Sequence, residues 1–339
     1  MKIWNHAFGY TRRTAVFALL LAVLATAPVP VQAQSSVEEV LGAVVRVQST
    51  IESTARTAKT LGTARDGHGV VIDSNGLVLT IGYLVLEASS VTVTGPDGKP
   101  QPASVLAYDH DTGFGLLRMA QPLPVKPMRM GDSSSLLADS DVLVAGFGGV
   151  GRAIRARVVS RRDFAGYWEY LLPDAIFTQP PYPLYGGAAL LDKGGKLVGI
   201  GSLIVADAQT PNNPSPGNMF VPINALKPIL GQLIANGRSD GPHHPWIGVY
   251  TEEYRQRVFV ARLAEDGPGA TAGILPGDLV IAVAGQPVSS QIDFYRKVWA
   301  IGGPGVDIPL TILRQTGSIE DISIKSSNRF DWLQSDTSH

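Results

Sequence analysis

Short apolar runs separated by turn residues fill the chain as far as about residue 225: HGVVIDSNGLVLT, SVTVTGPDGKPQPASVLAY, GFGLLRM, DVLVAGFGG, AIRARVVSRR and AALLDKGGKLVGIGSLIV. The tetrapeptides DSNG, GPDG and DKGG supply the glycine-containing bends of hairpin connections. Many short strands at even spacing, with almost no helical period, predict a closed barrel or sandwich over this region. VEEVLGAVVRVQS starts as a helical turn and passes into a strand, and the polar run IESTARTAKTLGTARDG reads as a mobile loop. INALKPILGQLIANG has the one clear amphipathic helical period, with Gly237 in the stop position. RSDGPHHP (238–245) is a linker by composition, a smaller unit follows over 246–326, and the tail 327–339 is expected to fray beyond Trp332.

With 339 residues the chain can hold two or three domains, each with its own core. Apolar residues make up 45% and charged ones 17%, a balance that suits a β-rich globular protein. The net charge of −1 lacks the basic excess that phosphate binding requires. The absence of cysteine excludes disulfides, a thiol nucleophile and zinc–thiolate chemistry. At the N-terminus Lys2, Arg12 and Arg13 precede the apolar run TAVFALLLAVLATA, and Val31 and Ala33 are placed for cleavage after Ala33. This is the order of a secretory signal peptide over 1–33, with a run short for a bilayer span. Arg12-Arg13 also hints at twin-arginine export. A periplasmic or otherwise exported protein is therefore expected, with no membrane span after cleavage.

Two motifs are set aside. GFGGVG (146–151) fits a dinucleotide-binding pattern, but Ile154, Ala156 and Val158 alternate with Arg155 and Arg157. That is strand periodicity where the nucleotide motif requires a helix, so a hairpin turn is the better reading. The five arginines between 152 and 162 read as the solvated face of a strand. Asp109-His110-Asp111 reads as a polar turn, because three adjacent loop residues rarely converge on one ion. His68 stands in a glycine-rich strand, His243 and His244 in the linker, and His339 at the terminus. No metal or cofactor is expected.

The order of the pieces resembles the HtrA family of exported serine proteases, in which a chymotrypsin-like double β-barrel precedes a PDZ domain. The resemblance covers about residues 36–326. It rests on GHGVVIDSNGLVLT, LAYDHDTGFGLLRM, VLVAGFGGVGRAIRARVVS and NMFVPINALKPIL in the first part (36–237). It rests on WIGV and AGILPGDLVIAVAGQPV, with Gly277-Asp278 at the turn, in the second. Carried over motif by motif, the family's histidine position holds Tyr83 in TIGYLV, its aspartate position Gly113, and its serine position Tyr185 in PLYGGAA. A phenol is a poor base at neutral pH. The oxyanion-hole glycine two residues before the nucleophile is Pro183, which has no N–H to donate. The expectation is that the chain is not an enzyme but a pseudoprotease without catalytic residues. Gly186-Gly187 would then be kept for backbone shape, with Tyr83 and Tyr185 packed across the old cleft.

Such a protein would act as a chaperone, adaptor or regulator, binding peptides or C-termini of unfolded or envelope proteins. It would assemble as a homo-trimer or as a hetero-oligomer with an active relative. The resemblance implies a peptide groove made by the loop Trp246, Ile247, Gly248 and Val249, whose N–H groups receive a terminal carboxylate. The helix residues Ile292, Tyr295 and Trp299 would line it, with Phe294 and Val298 on the neighbouring face. Two alternatives are carried. One is an active serine endopeptidase of protein quality control with another catalytic arrangement, for which Ser133–Ser135 or Ser202 would have to serve. The other is a structural subunit of an HtrA-like oligomer.

Overall fold

A computed structural model describes residues 36–333 apart from 212 and 242. The expected signal peptide lies outside the described residues. The short helix α1 (Val37–Leu41), capped by the Ser36 hydroxyl, leads into a closed barrel ordered β1-β2-β3-β6-β5-β4. Its strands are β1 (Val44–Ile51), β2 (Ala64–Val71), β3 (Leu77–Ile81), β4 (Ala88–Thr94), β5 (Pro100–Tyr108) and β6 (Phe114–Met119). The helix α2 (Ala58–Leu61) lies between β1 and β2.

A second closed barrel, ordered β10-β11-β12-β9-β8-β7, follows. It comprises β7 (Asp141–Ala145), β8 (Ala153–Gly166), β9 (Tyr170–Gln179), β10 (Ala189–Leu191), β11 (Leu197–Val205) and β12 (Gly217–Pro222). DSNG, GPDG and DKGG fall at the β2–β3, β4–β5 and β10–β11 bends, and GFGGVG at the β7–β8 bend. The strand β3 is buried at every position, so apolar side chains cover both its faces. One continuous apolar cluster joins Val47, Leu79, Phe114 and Leu116 of the first barrel to Phe177, Ile200 and Met219 of the second. Burying each such side chain stabilises the fold by roughly 1.5–3 kcal/mol. The helix α3 (Leu230–Asn236) stops at Gly237, whose φ of 72° is the left-handed cap.

The C-terminal sheet is ordered β13-β14-β15-β17-β18, with the short β16 beside β15. Its strands are β13 (Val249–Tyr254), β14 (Arg257–Leu263), β15 (Leu279–Val283), β16 (Gln286–Pro287), β17 (Asp307–Leu313) and β18 (Ile319–Lys325). The helix α4 (Pro268–Thr271) follows β14, and α5 (Gln291–Ala300) buries Phe294, Tyr295 and Val298. Ser290 caps α5 by accepting from the Asp293 N–H at 3.1 Å. The strand β13 is left at the edge of the sheet.

Two readings are corrected by the contacts of charged side chains. The run after β1, expected to be mobile, contains α2 and the start of β2 and is tied down by the buried Arg65. Its guanidinium donates to the carbonyls of Tyr83 (2.7 Å) and Leu86 (2.8 Å). Arg152, Arg155 and Arg157 are exposed as expected, but Arg161 and Arg162 are not a solvated face. Arg162 lies 3.7 Å over the Phe177 ring and donates to the Asp207 and Ala208 carbonyls, while Arg161 holds Asp174 and the Leu136 carbonyl. In the tail, α6 (Arg329–Trp332) packs down: Phe330 meets the His110 ring edge-on at 4.3 Å, and the Trp332 indole N–H donates to the Glu265 carbonyl at 2.9 Å.

Candidate functional site

A cavity of about 750 Å³ opens between the two barrels, lined among others by Arg46, Asp66, His68, Tyr83, Arg152 and Tyr185. Gly186 of the Gly186-Gly187 bend lines it, and Gly187 lies behind the lining. The His68 N–H donates to the Gly186 carbonyl at 2.8 Å, and the Gly187 N–H donates to the Gly201 carbonyl at 2.8 Å. Gly187 has φ 75°, and a Cβ there would lie on top of the His68 carbonyl oxygen, 2.7 Å from its carbon and 2.8 Å from the Thr80 hydroxyl. Only glycine allows this approach of one backbone to another.

Above the bend, Tyr83 follows β3 in a tight turn and its hydroxyl donates to the Ser202 carbonyl at 2.9 Å. Burial, with the Tyr185 phenol as a smaller cause, pushes the Tyr83 pKa well up, so it is a neutral donor. The same hydroxyl would stand 2.9 Å from a Cβ on Gly186. Pro183 and Tyr185 also line the cavity, so Tyr83, Pro183 and Tyr185 are brought together. Gly113 is not in the lining. It sits with φ 79° in the β5–β6 bend, where a Cβ would meet the Tyr170 hydroxyl at 3.3 Å.

His68, named in the sequence without a role, projects from β2 into the cavity. Its Nδ1 accepts the Phe147 N–H at 3.1 Å, and burial lowers its pKa, which leaves it neutral at pH 7. Ser133–Ser135 and Ser202 are absent from the lining, and among the described residues no imidazole shares a hydrogen bond with a hydroxyl. His110 is half-buried, its ring edge-on to Tyr108 at 4.4 Å and its two nitrogens without a hydrogen-bond partner. Asp109 accepts from Thr112 (2.9 Å) and from Ser239 (2.9 Å), so the Asp109-His110-Asp111 turn is spent on packing and on fastening the linker. Among the described residues no three potential ligands are grouped as a metal site would need.

Trp246, Ile247 and Val249 are 3%, 1% and 0% exposed, so the loop is not open to solvent. Gly248 takes φ 68°, which turns successive N–H groups to one side. Those groups already hold a carboxylate: Ile247 N–H donates to Glu169 Oε2 at 3.1 Å and Val249 N–H to Oε1 at 2.8 Å. Glu169 comes from the β8–β9 bend of the second barrel. Two residues before it, the Tyr167 carbonyl accepts the Thr251 N–H of β13 at 3.1 Å. The Tyr295 hydroxyl donates to the Gly166 carbonyl at 2.9 Å. Trp299 stacks between His244 (4.0 Å) and Tyr295 (5.9 Å), and Ile292 is half-buried against the domain core.

Burial pushes the Glu169 pKa up to about 7, against the N–H donors of the loop and the nearby Arg329, which lower it. Sequence reasoning missed Glu169 because nothing in the bend YWE separates it from any polar hairpin tip.

Comparison with known proteins follows the same division. Residues 67–200 match the trypsin-like peptidase domain family and residues 245–325 the PDZ domain family. A probable periplasmic serine protease do/HhoA-like of Haemophilus influenzae is 26% identical over 280 residues, covering 76% of this chain and 57% of the relative. A probable periplasmic serine endoprotease DegP-like of Brucella suis is 28% identical over 277 residues, covering 76% and 52%. The periplasmic serine endoprotease DegP of Salmonella typhimurium is 26% identical over 273 residues, covering 75% and 55%. The chain thus spans little more than half the length of these curated relatives.

Among solved structures, the HtrA-type protease AlgW with a decapeptide superposes with a TM-score of 0.51 at 19% identity, over 87% of this chain and 99% of that one. The serine endoprotease from Yersinia pestis gives 0.50 at 21% identity, over 87% and 98%. The fold is the double barrel followed by a PDZ domain. The expectation that the chain is not an enzyme is corrected by these relatives, each of which bears the name of a serine protease or endoprotease.

Proposed function

We propose that this chain, a trypsin-like peptidase domain followed by a PDZ domain and homologous to the HtrA/DegP serine proteases, serves quality control of exported proteins in the periplasm. In this reading an unfolded or extended segment enters the cleft between the barrels, and C-terminal segments are taken by the PDZ domain (246–326). The cleft carries the reading. Its 750 Å³ is lined by aromatic rings, two arginines, one aspartate, aliphatic side chains and backbone, a surface that suits an extended polypeptide of mixed composition.

The site assignment is part of the proposal: Tyr83, Gly113, Tyr185 and Pro183 stand where the family's motifs place the histidine, the aspartate, the serine and an oxyanion glycine. The relatives' reaction, addition of water across a peptide bond, therefore comes to this cleft without a serine at position 185. His68 is the only imidazole among the described residues lining it. Assembly into homo-trimers or with related chains belongs to the same reading.

Incubation of the purified chain with fluorescein-labelled casein tests both halves. Fragment release that falls at least tenfold in His68→Ala supports cleavage in this cleft. A folded chain that retains casein on gel filtration and leaves it intact overturns the endopeptidase half. A folded chain that neither retains nor cleaves casein overturns the whole reading.

A further inference from the structure

We infer that the β8–β9 bend is a built-in ligand of the PDZ groove: the Glu169 carboxylate holds the place of a peptide's C-terminal carboxylate, and a C-terminal peptide binds by displacing it. The inference rests on the reading of the second domain as peptide-binding and adds what fills the groove at rest.

Three contacts reproduce the strand-addition mode. A carboxylate sits on the N–H groups of Ile247 and Val249, at 3.1 and 2.8 Å. The residue two positions earlier, Tyr167, gives its carbonyl to Thr251 on the edge strand β13, at 3.1 Å. The helix α5 closes the other side, Tyr295 donating to Gly166 at 2.9 Å. Apolar contacts accompany these bonds, since Leu171 belongs to the PDZ apolar cluster and Trp168 packs with Trp246 and Tyr250. A strut between domains needs none of this register. A carboxylate on the loop with its second predecessor on the edge strand is the spacing of a bound peptide end.

A tethered ligand competes at an effective concentration on the order of millimolar. For a bend that itself binds the groove with an intrinsic dissociation constant of roughly 1–10 μM, the population with an open groove falls by roughly 10²–10³, and the apparent affinity for a free peptide falls with it. The probe is a fluorescein-labelled octapeptide, Arg-Asp-Phe-Ala-Gly-Tyr-Trp-Leu with a free carboxylate, which copies the bend and ends on an aliphatic residue. Its C-terminal amide is the control.

In fluorescence anisotropy on the full chain, Glu169→Ala is expected to bind the free-acid peptide at least tenfold more tightly than the native chain, and the amide at least tenfold more weakly than the acid. Equal affinity of the native chain and Glu169→Ala overturns the built-in ligand and leaves peptide binding standing. No binding by either, with native circular dichroism, overturns both. Should Glu169→Ala fail to fold, the native chain decides by hydrogen exchange. Saturating peptide is expected to speed exchange across residues 165–171, and unchanged exchange with peptide bound overturns the inference.

Discussion

Replacing Gly187 by alanine tests the claim that the Gly186-Gly187 bend is set by backbone meeting backbone. The new methyl would lie 2.7 Å from the His68 carbonyl carbon and 2.8 Å from the Thr80 hydroxyl, where about 3.4 Å is ordinary contact. The first obstacle is backbone, and the second, the Thr80 hydroxyl, is held by a hydrogen bond to that same backbone. The His68 carbonyl accepts from Thr80 at 2.6 Å, and the His68 N–H donates to Gly186 at 2.8 Å. Relief of the clash therefore strains or opens one of these bonds. The left-handed φ costs alanine roughly 1–2 kcal/mol, and overpacking adds roughly 1–3 kcal/mol. A loss of about 2–5 kcal/mol is expected, a large part of the 5–15 kcal/mol typical of a domain. At about 2–4 °C per kcal/mol for a chain of this size, the midpoint should fall by roughly 4–20 °C. Differential scanning calorimetry of native chain, Gly187→Ala and the control Gly151→Ala measures it. Gly151 has no atom within 4 Å of its added Cβ, so the control should melt with the native chain. A Gly187→Ala protein that melts within 2 °C of native would refute the close-approach argument.

Two further outcomes follow from the buried polar groups. Glu169 has its folded pKa raised from 4.5 to about 7, so the folded state binds its proton more tightly than the unfolded state does. Its contribution is fully present below pH 4.5 and is lost as pH rises through 7. At ~1.4 kcal/mol per unit, native stability should drop by about 3 kcal/mol between pH 5 and pH 8 on account of this group. Glu169→Gln should lack that drop, while the neighbours Arg329, Tyr250, Tyr295, His110, Asp111, His243 and His244 remain common to both proteins. Urea unfolding at the two pH values reads the difference, and an equal gap between the proteins at both would contradict it. Tyr83→Phe removes the hydrogen bond to the Ser202 carbonyl and should cost about 1 kcal/mol. A variant as stable as the native chain in urea would show that this bond is replaced by water.

The fold was legible because its signals are local. Glycine-bearing bends at DSNG, GPDG and DKGG lie between runs of β period, and each connects adjacent strands of a barrel. Gly186-Gly187 was legible as a backbone requirement, but its obstacle, the His68 carbonyl, lies more than a hundred residues away in sequence. Glu169 was not legible, since its partners Ile247 and Val249 are 78 and 80 residues distant and its own bend carries no apolar period. Arg65 illustrates the same limit. In a polar run it reads as loop, yet two carbonyls 18 and 21 residues on convert it into a buried anchor. Residue types at four positions argued against an enzyme, whereas the relatives carry serine protease or endoprotease names, because side-chain identity at a few positions and ancestry of the whole scaffold are different kinds of information.

The carboxylate that the second barrel lends to Ile247 and Val249 also bears on how the protein can be taken apart. A fragment beginning at the linker will leave two backbone amides and an apolar slot facing water, and it will seek acidic chain ends, or its own, to cover them. Ligand surveys made with such an excised module will rank as strong partners peptides that the whole molecule turns away.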